Sequence, residues 1–96
     1  METDIISDFV TAAYSDRRLN VWHLALCGSL AELMRQSRQT GPIQITRKKL
    51  MLLSRIGSAP TYHKYISHLQ SLGYIRYIPS FHPKKGTLVQ IMPQSV

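Results

Sequence analysis

Ninety-six residues suit one domain with room for a real core, and a hydrophobic content of 44% is that of a globular chain, which excludes disorder throughout. The net charge of +7 is unevenly spread: residues 1–16 carry Glu2, Asp4, Asp8 and Asp16 with no Lys or Arg, whereas residues 17–96 hold all twelve Lys and Arg against Glu32 alone, or +11. A segment this basic is suited to a polyanion, nucleic acid first and an anionic membrane surface second.

In chain order, residues 2–14 are expected to form a short helix with Ile5, Ile6, Phe9, Val10 and Ala13 on its apolar side, within an acidic N-terminal extension over residues 1–18. Its acids either complement the helix dipole and solubilise the helix, or fold back against the basic remainder; the first is the simpler account. Asn20 is a good N-cap for a helix from Val21 to about Ser37. Trp22, Leu26, Leu30, Leu33 and Met34 form one stripe, with Trp22 expected in the core, and Val21, Leu24, Ala25 and Gly28 widen it. A helix apolar over so much of its surface is either central to the core or shared in a homodimer, here through residues 5–34. Cys27, the lone cysteine, suits a reducing compartment and reads as a small buried hydrophobe.

Arg17-Arg18 ahead of the apolar run from Val21 to Met34 imitates an export signal. The acids before it, the bulky Leu26 preceding Cys27, and His23 and Glu32 inside it argue otherwise. The run is also too short to span a bilayer. It reads as an amphipathic helix of a cytoplasmic protein with no membrane partner.

Residues 38–42, RQTGP, turn the chain, and Ile43-Gln44-Ile45 alternates as a short strand should. Thr46 caps a helix over Arg47 to Ser54. Arg55-Ile56-Gly57 breaks it, with Gly57 expected to supply the positive φ of a sharp corner. Ser58 caps the next helix, Pro60 sits in its first turn, and Gly73 stops it after Leu72. Tyr62, Ile66, Leu69 and Leu72 make its apolar stripe. Thr61, His63, Lys64, Ser67 and His68 lie off that stripe, Tyr65 and Gln70 border it, and no acid occurs in the helix. Tyr74 to Ile78 reads as a strand, Pro79 to Gly86 (PSFHPKKG) as a loop with a basic tip, and Thr87 to Met92 as the returning strand.

Two helices around a short Gly-containing turn, then a hairpin, is an order of elements that resembles the winged helix-turn-helix proteins. The resemblance covers Leu19 to Met92, and its most telling piece is SAPTYHKYISHLQSLGYI, similar to the recognition helix and first wing strand of small bacterial regulators and of plasmid or phage replication proteins. It implies an α+β fold, mainly α, with a helix-turn-helix over 46–73, a wing hairpin over 74–92 and a small three-stranded sheet, in one domain spanning 1–96.

Catalytic chemistry finds little support. Beyond residue 16 the only carboxylate is Glu32, which leaves no pair for acid–base or two-metal work. His23, His63, His68 and His82 have no zinc-ligand spacing, and His63 and His68, five apart on a helix, point about 140° away from each other. Gly-rich phosphate loops are absent. Tyr62, Tyr74 and Tyr77 read as core or sheet residues, so neither an enzyme nor a cofactor or metal is expected.

What the resemblance implies instead is sequence-specific binding of double-stranded DNA, with the helix over 59–72 in the major groove. Thr61, His63, Lys64 and Ser67 would meet base edges and nearby phosphates, and Ser58 would offer phosphate a helix N-terminus. Arg47, Lys48 and Lys49 are poorly placed for their own helix dipole, which an external anion would explain. His82, Lys84 and Lys85 would grip the backbone from the wing. The expected role is transcriptional regulation. Two alternatives stand beside it: a replication or recombination accessory protein of a mobile element, and a winged-helix protein-interaction module.

Overall fold

Asn20 caps the helix on which the other three helices are packed. The computed structural model describes residues 5–38, 41–78 and 86–92. Its elements are α1 (Ile5–Ser15), α2 (Val21–Ser37), β1 (Ile43–Ile45), α3 (Arg47–Ser54), α4 (Ala59–Ser71), β2 (Ile75–Ile78) and β3 (Thr87–Ile91). This is an α+β fold, mainly helical, with one antiparallel sheet in the order β1-β3-β2.

The wide apolar surface of α2 is used inside the chain: α1, α3 and α4 all pack on it, and Leu26, Leu30 and Met34 are buried. Burying each such side chain is worth about 1.5–3 kcal/mol relative to exposure. Trp22 departs from expectation, being 40% exposed, while His23 beside it is only 4% exposed. The cap explains the exchange. Asn20 Oδ1 accepts from the N–H groups of Trp22 (2.9 Å) and His23 (3.3 Å), and His23 Nδ1 accepts back from the Asn20 N–H at 2.9 Å. That reciprocal pair is a capping box with histidine in the place usually held by Glu or Gln, so His23 turns inward and Trp22 outward.

The corner between α3 and α4 also differs from expectation. Arg55, not Gly57, takes the left-handed conformation, with φ 63. The Ile56 N–H then donates to the Met51 carbonyl (3.1 Å) and the Arg55 N–H to that of Leu52 (3.3 Å), a Schellman closure that drops Ile56 into the core. A second closure ends α4 at Ser71 rather than Leu72: the Tyr74 N–H donates to Leu69 (2.9 Å) and the Gly73 N–H to Gln70 (3.1 Å). Thr46 and Ser58 cap α3 and α4 as their positions predict.

The sheet lays Ile43, Ile45, Val89, Ile75 and Ile91 on the core side. Tyr74, just ahead of β2, ties it to the other end of the chain. Its ring meets Phe9 edge-on at 6.0 Å, and its hydroxyl donates to Asp16 Oδ2 at 2.8 Å. The free edge of β2 is covered at one point by α4, where Gln70 Oε1 accepts from the Tyr77 N–H at 3.0 Å.

Candidate nucleic-acid interface

The face of α4 turned away from the core carries His63, Lys64, Ser67 and His68, all exposed, with Thr61 half-buried at its start. Tyr65, expected at the border, is buried on α2 and narrows that face. Neither α3 nor α4 has an acid in its first turn. Lys64 Nζ lies 5.4 Å from the centre of the Tyr65 ring, close enough for cation–π attraction. His63 stands edge-on to Tyr62 at 5.3 Å. Ser58 accepts the Thr61 N–H through its hydroxyl oxygen at 3.4 Å, which fixes the backbone at the N-terminus of α4.

Arg47, Lys48 and Lys49 occupy the first turn of α3 and are exposed. The Lys49 N–H is satisfied by Thr46 Oγ1 at 3.1 Å. Arg47 also reaches electrostatically toward the Tyr62 hydroxyl, which pairs with that of Tyr77 at 3.2 Å. Burial above all, and then the Tyr77 hydrogen bond, push the Tyr62 pKa far up, so this pair is a structural link between α4 and β2 rather than a nucleophile. Arg47 and Lys48 come together with Arg55 around a shallow hollow of about 620 Å³ floored by Met51, Leu52 and Ile56. Lys49 is not in that hollow. His82, Lys84 and Lys85 lie outside the described residues.

Two cations were missed by the sequence reading. Arg55 joins the rim of the hollow from the turn, and Arg76 is exposed on β2 opposite Gln90. The signal for Arg76 was present, because it is the polar position of an alternating strand. Nothing short of the turn geometry located Arg55.

Acids compensate charge elsewhere. Among the described residues the ion pairs are Arg18–Asp16 and Arg35–Glu32, each 2.7 Å, on α2 and the turn before it. Arg18 hydrogen bonds first, and the Tyr74 hydroxyl after them, hold the Asp16 carboxyl well below the usual range. Arg47, Lys48, Lys49, Arg55, Lys64 and Arg76 make no ion pair among the described residues. Cys27 is buried, and burial pushes its thiol up to about 12. Among the described residues no three His, Cys, Asp or Glu side chains gather as metal ligands, and no helix is long and apolar enough to cross a membrane.

Fold and surface together define a mainly helical α+β protein with a cationic, acid-free side formed by α3, the following turn and α4. No family model matches the chain, and neither the curated proteins nor the solved structures contain a match to it.

Proposed function

We propose that this chain is a winged helix-turn-helix protein of the cytoplasm that binds double-stranded DNA sequence-specifically and regulates transcription. The observation that carries the reading is the cationic surface of α3 and α4, whose helices contain no acid and which makes no ion pair among the described residues, while both ion pairs of those residues lie on other elements. The order α2, β1, α3, α4, β2, β3 and the joining of β1 to the β2–β3 hairpin in one three-stranded sheet support it, being the arrangement that the winged-helix resemblance implies. In this reading α4 enters the major groove with Thr61, His63, Lys64 and Ser67 toward the bases. Ser58, Arg47, Lys48 and Lys49 hold phosphates, and the wing residues His82, Lys84 and Lys85 grip the backbone. A replication or recombination accessory protein of a mobile element would use the same surface.

Titrating a labelled random duplex at several salt concentrations tests the proposal. Five or so phosphate contacts give a log–log slope of about −4 or steeper. Absence of binding at low salt overturns it.

A second reading is favoured by one feature. Leu52 is 73% exposed on the floor of the hollow between Arg47, Lys48 and Arg55, which suits an acidic protein partner with an apolar anchor. A homodimer through residues 5–34 would in turn cover the exposed Tyr14 and Val21. Light scattering at high concentration tests the dimer, and a monomer throughout removes it.

A further inference from the structure

Asn20, His23 and His68 form a line of hydrogen bonds from the start of α2 to the last turn of α4. The Asn20 backbone N–H donates to His23 Nδ1 at 2.9 Å, and His23 Nε2 lies 3.2 Å from His68 Nδ1. An amide N–H has only a proton to offer, so His23 Nδ1 must present its lone pair. A neutral His23 then carries its proton on Nε2 and donates it to His68 Nδ1. His68, accepting at Nδ1, carries its own proton on Nε2.

One proton arrangement satisfies the whole line, and it is the neutral one. A proton added to His23 lands on Nδ1 and faces the Asn20 N–H. A proton added to His68 lands on Nδ1 and faces the His23 Nε2–H. The first event breaks the cap bond to Asn20 and leaves the Nε2–H bond to His68 in place; the second breaks the bond between the helices. The same constraint excludes a metal ion between the rings, because His23 Nε2 has no lone pair to give while Nδ1 accepts from Asn20.

We propose that the Asn20–His23–His68 line is an acid-sensitive joint, which closes the start of α2 and ties it to α4 while both histidines are neutral, and whose cap at Asn20 opens when His23 is protonated. In the DNA-binding reading above, α4 is the helix facing the groove, so the joint governs how that helix is presented; this clause rests on that reading, and the joint itself does not.

The surroundings favour the neutral state. His23 is buried, with Tyr65 edge-on at 4.7 Å, and Asn20 Nδ2 donates to the Tyr65 hydroxyl at 3.3 Å. From α4, His68 and Lys64 oppose a charge on His23. Asp16, in the turn before α2, favours one, but its carboxylate is already held by Arg18 and Tyr74. Burial first, and His68 next, lower the His23 pKa from 6.5, against the smaller opposing pull of Asp16. Since the folded value lies below the unfolded one, the stability contributed is complete above about pH 6.5 and is lost as pH falls from there toward the folded pKa.

The usual capping-box residues are Glu and Gln, so His23→Gln keeps an acceptor for the Asn20 N–H and removes the titration. The test combines long-range 1H–15N NMR of the full chain from pH 8 to pH 5 with urea unfolding at the same pH values. Expected are Nε2–H tautomers for both His23 and His68 at pH 8. The unfolding constant of the parent chain should rise by up to about tenfold per pH unit below 6.5, one suppressed proton's worth. In His23→Gln that slope should flatten. An Nδ1–H tautomer at His23, or a slope unchanged in His23→Gln, overturns the proposal. Should His23→Gln fail to fold, the tautomers of the parent chain and the slope of His68→Gln decide it. Neither readout involves DNA, so failure of the joint and failure of the DNA reading are separately visible.

Discussion

Gly73 and Gly86 both take left-handed backbone, with φ +81 and +66, yet only one of them is crowded. A Cβ added at Gly73 meets nothing within 4 Å, whereas one added at Gly86 lies 2.5 Å from the carbonyl oxygen of Ile45. Gly73→Ala therefore costs the left-handed penalty of ~1–2 kcal/mol, less the ~0.4–1 kcal/mol that alanine recovers by restricting the unfolded chain, a net of about 1 kcal/mol. Gly86→Ala carries the same cost and adds a clash with backbone. Ile45 is paired with Thr87 across β1 and β3, so its carbonyl retreats only if that pairing opens. An overpacking penalty of ~1–3 kcal/mol brings the expected loss to ~2–4 kcal/mol. In a domain of this size 1 kcal/mol moves Tm by about 4–8 °C, so thermal unfolding of the two variants should separate clearly. Urea unfolding with an unchanged m-value would confirm that stability alone has moved. A Gly86→Ala chain no less stable than Gly73→Ala would refute the close approach of the hairpin to β1.

Four further outcomes are expected. Tyr77→Phe strands the buried Tyr62 hydroxyl and should cost ~1–3 kcal/mol, whereas the double change with Tyr62→Phe should cost less than the sum, as a double-mutant cycle in urea would show. Arg55→Gly relieves left-handed strain and should raise stability by ~0.5–1 kcal/mol; a loss would mean that the arginine side chain itself holds the turn. Changing Arg47, Lys48 or Lys49 to Ala should weaken every duplex equally, with a salt slope shallower by about one for each, while Thr61→Ala or His63→Ala should alter the selected sequence. A triple α3 variant with the parent slope would refute the proposed docking. Cys27, whose thiol burial pushes up to about 12, should react with a thiol reagent at pH 8 only as fast as the chain opens.

Most of the secondary structure was readable in the sequence because its boundaries are set by local chemistry. Asn20, Thr46 and Ser58 are short polar side chains ahead of apolar runs, and each caps the helix that follows it. Gly73 ends α4 for the reason its type suggests. The misreadings share a cause, which is that side-chain direction depends on partners distant in sequence. Periodicity put Trp22 in the stripe of α2. The capping box, with Tyr65 and His68 contributed from α4, made the adjacent histidine the buried one. Periodicity likewise left Tyr65 at a border, although its hydroxyl has a partner in Asn20 forty-five positions away. The corner was assigned to Gly57 on residue type, while the hydrogen bonds that close α3 put the positive φ two residues earlier. For the candidate interface, exposure on α4 followed from spacing alone. The gathering of Arg47, Lys48 and Arg55 around one hollow did not, since it needs the turn.

Solubility is the competing account of the basic surface, and the placement of the charges weighs against it. A soluble helix places acids in its first turn and bases in its last, each worth about 0.3–1 kcal/mol. α1 follows the first half of that rule with Asp8, and α2 the second half with Arg35. α3 breaks the rule at its start: three cations fill its first turn and no acid of the helix offsets them, while the cation at its other end, Arg55, lies in the cap just past the last turn. Solubility would be served equally by the same three charges one turn later, at lower cost to the helix. An anion held against that turn converts the cost into attraction, since it meets three cations and the positive end of the dipole together. Phosphates spaced along a duplex are anions of that kind, and the acid-free face of α4 beside the turn is what a groove would require of its occupant.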